Sequence, residues 1–234
     1  MTRVIAHRGA SGHCPENTLS AYALALEQGA DMIEIDLHCT RDGAVVITHD
    51  EGLEGLGGQG EIADASLSEV RTLDAGDGQQ VPLLDEVLDA FGARVPFNLE
   101  LKASTRGFYP GLESVALEAT RARGILAQTL FSSFFDPVLE ALRRQSAEAG
   151  LAVLVSPRAP SGWLARAQAV GAVAVNFHTL LATPDQIERA HGEGLEVNVY
   201  TVDDEPTLAR LVSDGVDGIF TNYPDRLRNL LERG

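Results

Sequence analysis

Seven ionisable residues close short apolar runs in the first half of the chain. His7 and Arg8 follow Arg3–Ala6, Glu34 and Asp36 lie within Met32–Leu37, His49 follows Ala44–Thr48, and Glu100 and Lys102 end Phe97–Leu101. The pairs Glu34/Asp36 and Glu100/Lys102 are each separated by one residue, which in a strand turns both side chains to one face. Three carboxylates form a hard-oxygen donor set that suits Mg²⁺ or Ca²⁺ and leaves positions for water and substrate oxygens. Two imidazoles beside them, His7 and His49, can act near neutral pH as general base and general acid at a phosphorus centre. Arg8 presents a planar fork suited to phosphate.

The competing reading is a buried ion-pair network, in which Arg8 and Lys102 neutralise the three acids. Two histidines at neighbouring run ends favour the metal reading over the network. The five charges Glu34, Asp36, Glu100, Arg8 and Lys102 sum to −1, and a divalent cation would turn that to +1. Such a site could hold an anion within an acidic protein. The other histidines, His13, His38, His178 and His191, read as solvated or packing residues, and Cys14 as an incidental loop cysteine.

Positioning these side chains requires strands whose ends converge. Val-, Ile- and Leu-rich runs recur along the chain, and most are followed by a helical pattern, from Thr18–Gln28 to Pro224–Glu232. Runs of this kind suit strands buried on both faces. With Ala44–Thr48 counted as an extension of the second strand there are eight strand-then-helix units, which predicts a parallel (β/α)₈ TIM barrel with its reactive groups at the strands' C-terminal ends. The acidic, Gly-rich segment 51–78 breaks the rhythm and reads as a small insertion after the second strand, with a short helix near Ser68–Leu73. One domain over residues 1–234 is expected.

Composition narrows the partners. The chain of 234 residues carries 34 Asp and Glu against 18 Lys and Arg, a formal charge of −16. Binding to nucleic acid or to an anionic lipid surface needs clustered cations, so neither nucleic acid nor stable membrane association is expected. No window approaches a membrane span. Two cysteines without paired spacing read as reduced, and a soluble cytoplasmic protein is the expectation. Of the 18 cations, 17 are Arg, and the single lysine is Lys102.

The motifs His7-Arg8-Gly9, Pro15-Glu16-Asn17-Thr18, Glu34-Ile35-Asp36-Leu37, Thr40-Arg41-Asp42-Gly43 and Ile47-Thr48-His49-Asp50 resemble, in order and spacing, the glycerophosphodiester phosphodiesterase family. The likeness continues through Asn98–Lys102, Ser132-Ser133-Phe134 and the closing Gly215–Pro224, and so spans the chain. The resemblance implies a barrel enzyme that uses a divalent cation to hydrolyse small glycerophosphodiesters to glycerol 3-phosphate and an alcohol. It assigns His7 and His49 as the acid/base pair, Glu34, Asp36 and Glu100 as metal ligands, and Arg8 and Lys102 as phosphate contacts. Glu16-Asn17-Thr18 is expected to order a loop and cap the first helix. Two positions depart from the family pattern. Leu53–Gly58 replaces an Arg-Thr-Thr element, and Tyr200-Thr201 replaces Trp-Thr, making Tyr200 a substrate-side contact. Two alternatives stand beside this reading: a related phosphodiesterase for lysophospholipid or phosphoinositol-type diesters, and a catalytically silent barrel that binds metal or phosphodiester.

Overall fold

All eight residues of MIEIDLHC are buried, as befits a strand covered on both faces. In the computed structural model, which describes residues 1–233, the strands are Arg3–His7 (β1), Met32–Cys39 (β2), Val45–Ile47 (β3), Phe97–Leu101 (β4), Ala103–Ser104 (β5), Gly107–Phe108 (β6), Leu130–Ser133 (β7), Gly150–Val155 (β8), Ala174–His178 (β9), Glu196–Tyr200 (β10) and Gly218–Thr221 (β11). The helices are Leu19–Glu27 (α1), Leu67–Val70 (α2), Leu84–Phe91 (α3), Leu112–Ala122 (α4), Asp136–Gln145 (α5), Trp163–Val170 (α6), Pro184–Gly192 (α7), Glu205–Ser213 (α8) and Pro224–Arg233 (α9).

Hydrogen bonding runs in parallel through β1, β2, β4, β7, β8, β9, β10 and β11 and returns from β11 to β1. The eight strands close a (β/α)₈ barrel, as the alternation of runs predicts. Val4, Ile33, Leu99, Phe131, Val153, Val175 and Val197 point outward into the main core beneath the helices. Fully burying a side chain of this kind contributes about 1.5–3 kcal/mol. Alternate residues point inward, where Ile5, Met32 and Phe220 form one apolar cluster. Amides fill much of the rest: Asn98 donates to Ser132 Oγ at 2.8 Å and Asn198 to Asn176 Oδ1 at 3.0 Å. Gly218 is required by this filling, since a Cβ there would sit 2.4 Å from Asn198 Oδ1.

The run Ala44–Thr48, counted from sequence as an extension of the second strand, contains β3, and Val45–Ile47 folds back antiparallel on β2. The Asp42-Gly43 step makes the reversal. Thr40 Oγ1 donates to Asp42 Oδ1 at 2.7 Å, and Gly43 adopts φ 85°. This hairpin returns His49 to the mouth of the barrel. Segment 51–78 follows it and packs Leu53, Ile62, Ala65 and Val70 around a small apolar cluster with Val46 and Val81. Ser66 and Glu69 start α2 with a reciprocal capping box.

Candidate active site

Inward-facing positions of β2 and β4 bring Glu34, Asp36 and Glu100 together, each with a carboxylate oxygen within 4.8 Å of the other two. Their partners differ. Asp36 meets Lys102 Nζ at 3.0 Å and Arg8 Nε at 3.3 Å, and accepts from Asn17 Nδ2 at 2.9 Å. Glu100 meets the same ammonium at 3.0 Å. Glu34 Oε2 accepts only the backbone N–H of Arg8, at 3.0 Å, and no ion pair to Glu34 is present among the described residues. A purely structural ion-pair network would give each buried acid its own cation. Glu34 is the acid left over, and its all-oxygen neighbourhood fits a hard divalent cation.

The electrostatics follow from those contacts. Burial opposes ionisation of Asp36, but the Lys102 ammonium and the Arg8 guanidinium outweigh it and hold the carboxyl below the usual carboxylate range. Burial, then the charges of Asp36 and Glu100, push Glu34 well above that range. Burial works against the Lys102 charge, but Asp36 and Glu100 overcome it and raise the ammonium above the ordinary lysine range.

Arg8 adopts a left-handed backbone conformation, φ 57°. Its N–H thereby reaches the Glu34 carbonyl at 3.1 Å as well as the carboxylate, and its guanidinium pairs with Glu16 at 2.8 Å. Gly9 must be glycine, because φ is 82° and a Cβ would lie 2.7 Å from the backbone carbon of Ala21. Thr18 caps α1, accepting the Ala21 N–H. Asn17 takes the other role expected of this loop. Itself at φ 56° and bonded to Tyr22 Oη at 3.1 Å, it is turned away from the helix to hold Asp36.

His7 and His49 line one cavity of about 310 Å³ together with Arg8, Glu34, Glu100 and Lys102. Each ring is tied at Nδ1: His7 to Asn222 Oδ1 at 2.8 Å, His49 to Asp50 Oδ1 at 2.7 Å. Burial, then the Arg8 charge, lowers the His7 pKa to about 4, so its ring is neutral at physiological pH. His38 is fully buried between Tyr109 Oη, at 2.7 Å, and the His49 carbonyl, at 3.2 Å. It packs, as expected, but against the backbone of a candidate catalytic residue.

The opposite wall is apolar, made by Phe134, Leu154, Tyr200 and Phe220. The Tyr200 ring is edge-on to Phe134, Phe220 and His178 with centroids 6.1, 6.4 and 5.6 Å away, and its hydroxyl donates to the Val155 carbonyl at 2.9 Å. His178, read from sequence as a bland residue, lines this wall. Asn17, Asp50 and Asn222 do not stand out as site residues by type, although all three lie inside the motifs named above. A neutral amide in a motif reads as a cap or a turn until its contacts are known. His13 and His191 lie outside the site, paired with Asp225 and Asp217. Both cysteines are free. No described helix is long and apolar enough to cross a membrane.

The profile of the glycerophosphoryl diester phosphodiesterase family matches residues 7–226. A glycerophosphodiester phosphodiesterase of Caldanaerobacter subterraneus is 32% identical, with 100% of this chain and 99% of the relative covered. Among solved structures, a phosphodiesterase of Oleispira antarctica in complex with the product sn-glycerol-3-phosphate superposes with a TM-score of 0.88 at 30% identity, covering 99% of this chain and 97% of that one. A glycerophosphodiester phosphodiesterase of Agrobacterium tumefaciens gives 0.84 at 31% identity, with 98% and 100% covered.

Proposed function

The chain belongs to the glycerophosphoryl diester phosphodiesterase family and is a phosphodiesterase, and from that premise we propose that it hydrolyses small glycerophosphodiesters to glycerol 3-phosphate and an alcohol, with a divalent cation held by Glu34, Asp36 and Glu100. One observation carries the reading: two imidazoles, each tied at Nδ1, share a cavity with Glu34 and Glu100, two of three clustered carboxylates, and Glu34 has no cationic partner among the described residues. When bound, Mg²⁺ or Ca²⁺ supplies positive charge against the nonbridging phosphate oxygens.

The chain's own residues do the rest. Arg8 and Lys102 face the cavity and neutralise charge that gathers on the phosphoryl group in the transition state. His7 Nδ1 faces the Asn222 oxygen at 2.8 Å, and a neutral ring that donates there leaves Nε2 free to take a proton from the attacking hydroxyl of water or of the substrate's glycerol. His49, its ring held at Nδ1 by the Asp50 carboxylate at 2.7 Å, takes the complementary part and protonates the leaving alkoxide. Tyr200 and its aromatic neighbours exclude water and pack against the substrate's carbon atoms.

The test is release of glycerol 3-phosphate from glycerophosphocholine by the purified protein. Activity abolished by EDTA and restored by Mg²⁺ or Ca²⁺ is the expected result. No release with either cation, or full activity after chelation, would overturn the reading. A micellar lysolipid assayed beside it should turn over more slowly.

A further inference from the structure

Asp203 follows β10 and lies outside the charged half of the site, yet it connects directly to the chemistry. Its Oδ1 accepts the Asn222 backbone N–H at 2.8 Å and Thr221 Oγ1 at 3.1 Å, and its Oδ2 accepts Asn222 Nδ2 at 2.7 Å. Three hydrogen bonds to one carboxylate join the loops after β10 and β11. A carboxylate only accepts, so Asn222 must turn its NH₂ toward Asp203 and its carbonyl oxygen toward His7. That oxygen, 2.8 Å from Nδ1, in turn only accepts. The ring proton is therefore placed on Nδ1, and Nε2, 3.5 Å from Thr201 Oγ1, carries the lone pair.

We propose that Asp203 is a positioning residue for the reaction: acting through Asn222, it selects the tautomer of His7 that leaves Nε2 able to accept a proton. His49 shows why the interposed amide matters. There the carboxylate of Asp50 touches the ring directly, 2.7 Å from Nδ1. At His7 a neutral amide stands between ring and carboxylate, so orientation and tautomer are set without an anion against the ring. The inference rests on His7 acting as the base in the proposed reaction.

The experiment combines histidine-selective ¹⁵N NMR with steady-state kinetics on the cation-loaded enzyme. In the wild type, the His7 ring should show Nδ1 protonated and Nε2 bare. A wild-type ring protonated on Nε2 overturns the proposal without any variant. In Asp203→Asn the new amide can donate to Asn222, whose own amide then reverses and drives the His7 proton to Nε2. kcat should fall about 100-fold with KM within twofold, a loss in the range of general base catalysis. The reciprocal double variant Asp203→Asn/Asn222→Asp restores an acceptor against Nδ1 and a donor behind it, and should recover kcat to within about tenfold of wild type. Unchanged kcat in Asp203→Asn, a loss with His7 still protonated on Nδ1, or a double variant no better than the single one would each overturn the relay. The ring spectrum needs no turnover. An enzyme that failed to cleave glycerophosphodiesters would thus count against the proposed reaction, while the tautomer would still decide the role of Asp203.

Discussion

The two sides of the barrel mouth are built on different principles. On the side of β1, β2, β3 and β4, charged residues are buried beyond what a core tolerates unless they serve one another: Glu34 and Asp36 are 3% and 1% exposed. On the side of β7 to β11, the wall is Phe134, Leu154, Tyr200 and Phe220, which would be unremarked in any core. The first side accumulates unfavourable electrostatics that the proposed cation would relieve. The second supplies shape and dryness, which strengthen every interaction across the cavity. Chemistry is therefore expected to be concentrated on one side, with fit on the other.

Removing either imidazole should have the largest effect. His7→Ala and His49→Ala are each expected to lower kcat by about 10²- to 10⁴-fold, read in the glycerol 3-phosphate assay. Full activity in either would break the division between the two sides. Next comes the single lysine. Lys102→Arg keeps the charge but replaces a compact ammonium that touches both Asp36 and Glu100 with a planar fork, and a loss of about 10²-fold is expected. Activity near wild type would make the lone lysine a compositional accident.

Glu34→Gln sharpens the comparison through stability. Because Glu34 is buried beside two other acids without a cation of its own among the described residues, the variant should stabilise the cation-free protein by about 0.5–2 kcal/mol and should lack the added stability expected of the wild type with Mg²⁺ or Ca²⁺. Thermal melts with and without the ion read both effects, and a destabilised cation-free variant would contradict the account. The smallest effect belongs to the apolar side. Tyr200→Phe loses one hydrogen bond to Val155, about 1 kcal/mol of stability, and should leave kcat within about twofold. A hundredfold fall in kcat would move Tyr200 across to the chemical side.

How much of this was legible in sequence depends on the kind of residue. The barrel followed from eight buried runs separated by helical patterns, because strands covered on both faces leave a continuous apolar signature. The direction of Val45–Ile47 was not legible, since a three-residue buried strand looks the same whether it continues β2 or pairs back on it. Glu34, Asp36, Glu100 and the two histidines stood out because an ionisable residue at the end of an apolar run demands an explanation. His178 and the aromatic wall did not, since packing alone accounts for such residues.

Residue types and spacing by themselves determined the barrel, the placement of three acids and two imidazoles at strand ends, and the family resemblance, all of which rest on periodicities of two and on local order along the chain. Only the tertiary structure decided which acid lacks a cation and which partner each imidazole keeps. Those facts depend on pairs such as His7 with Asn222, 215 residues apart, and on the direction in which a single amide points. Hydrogen bonds between distant loops leave no periodic trace in a sequence, because their geometry exists only once the barrel has closed.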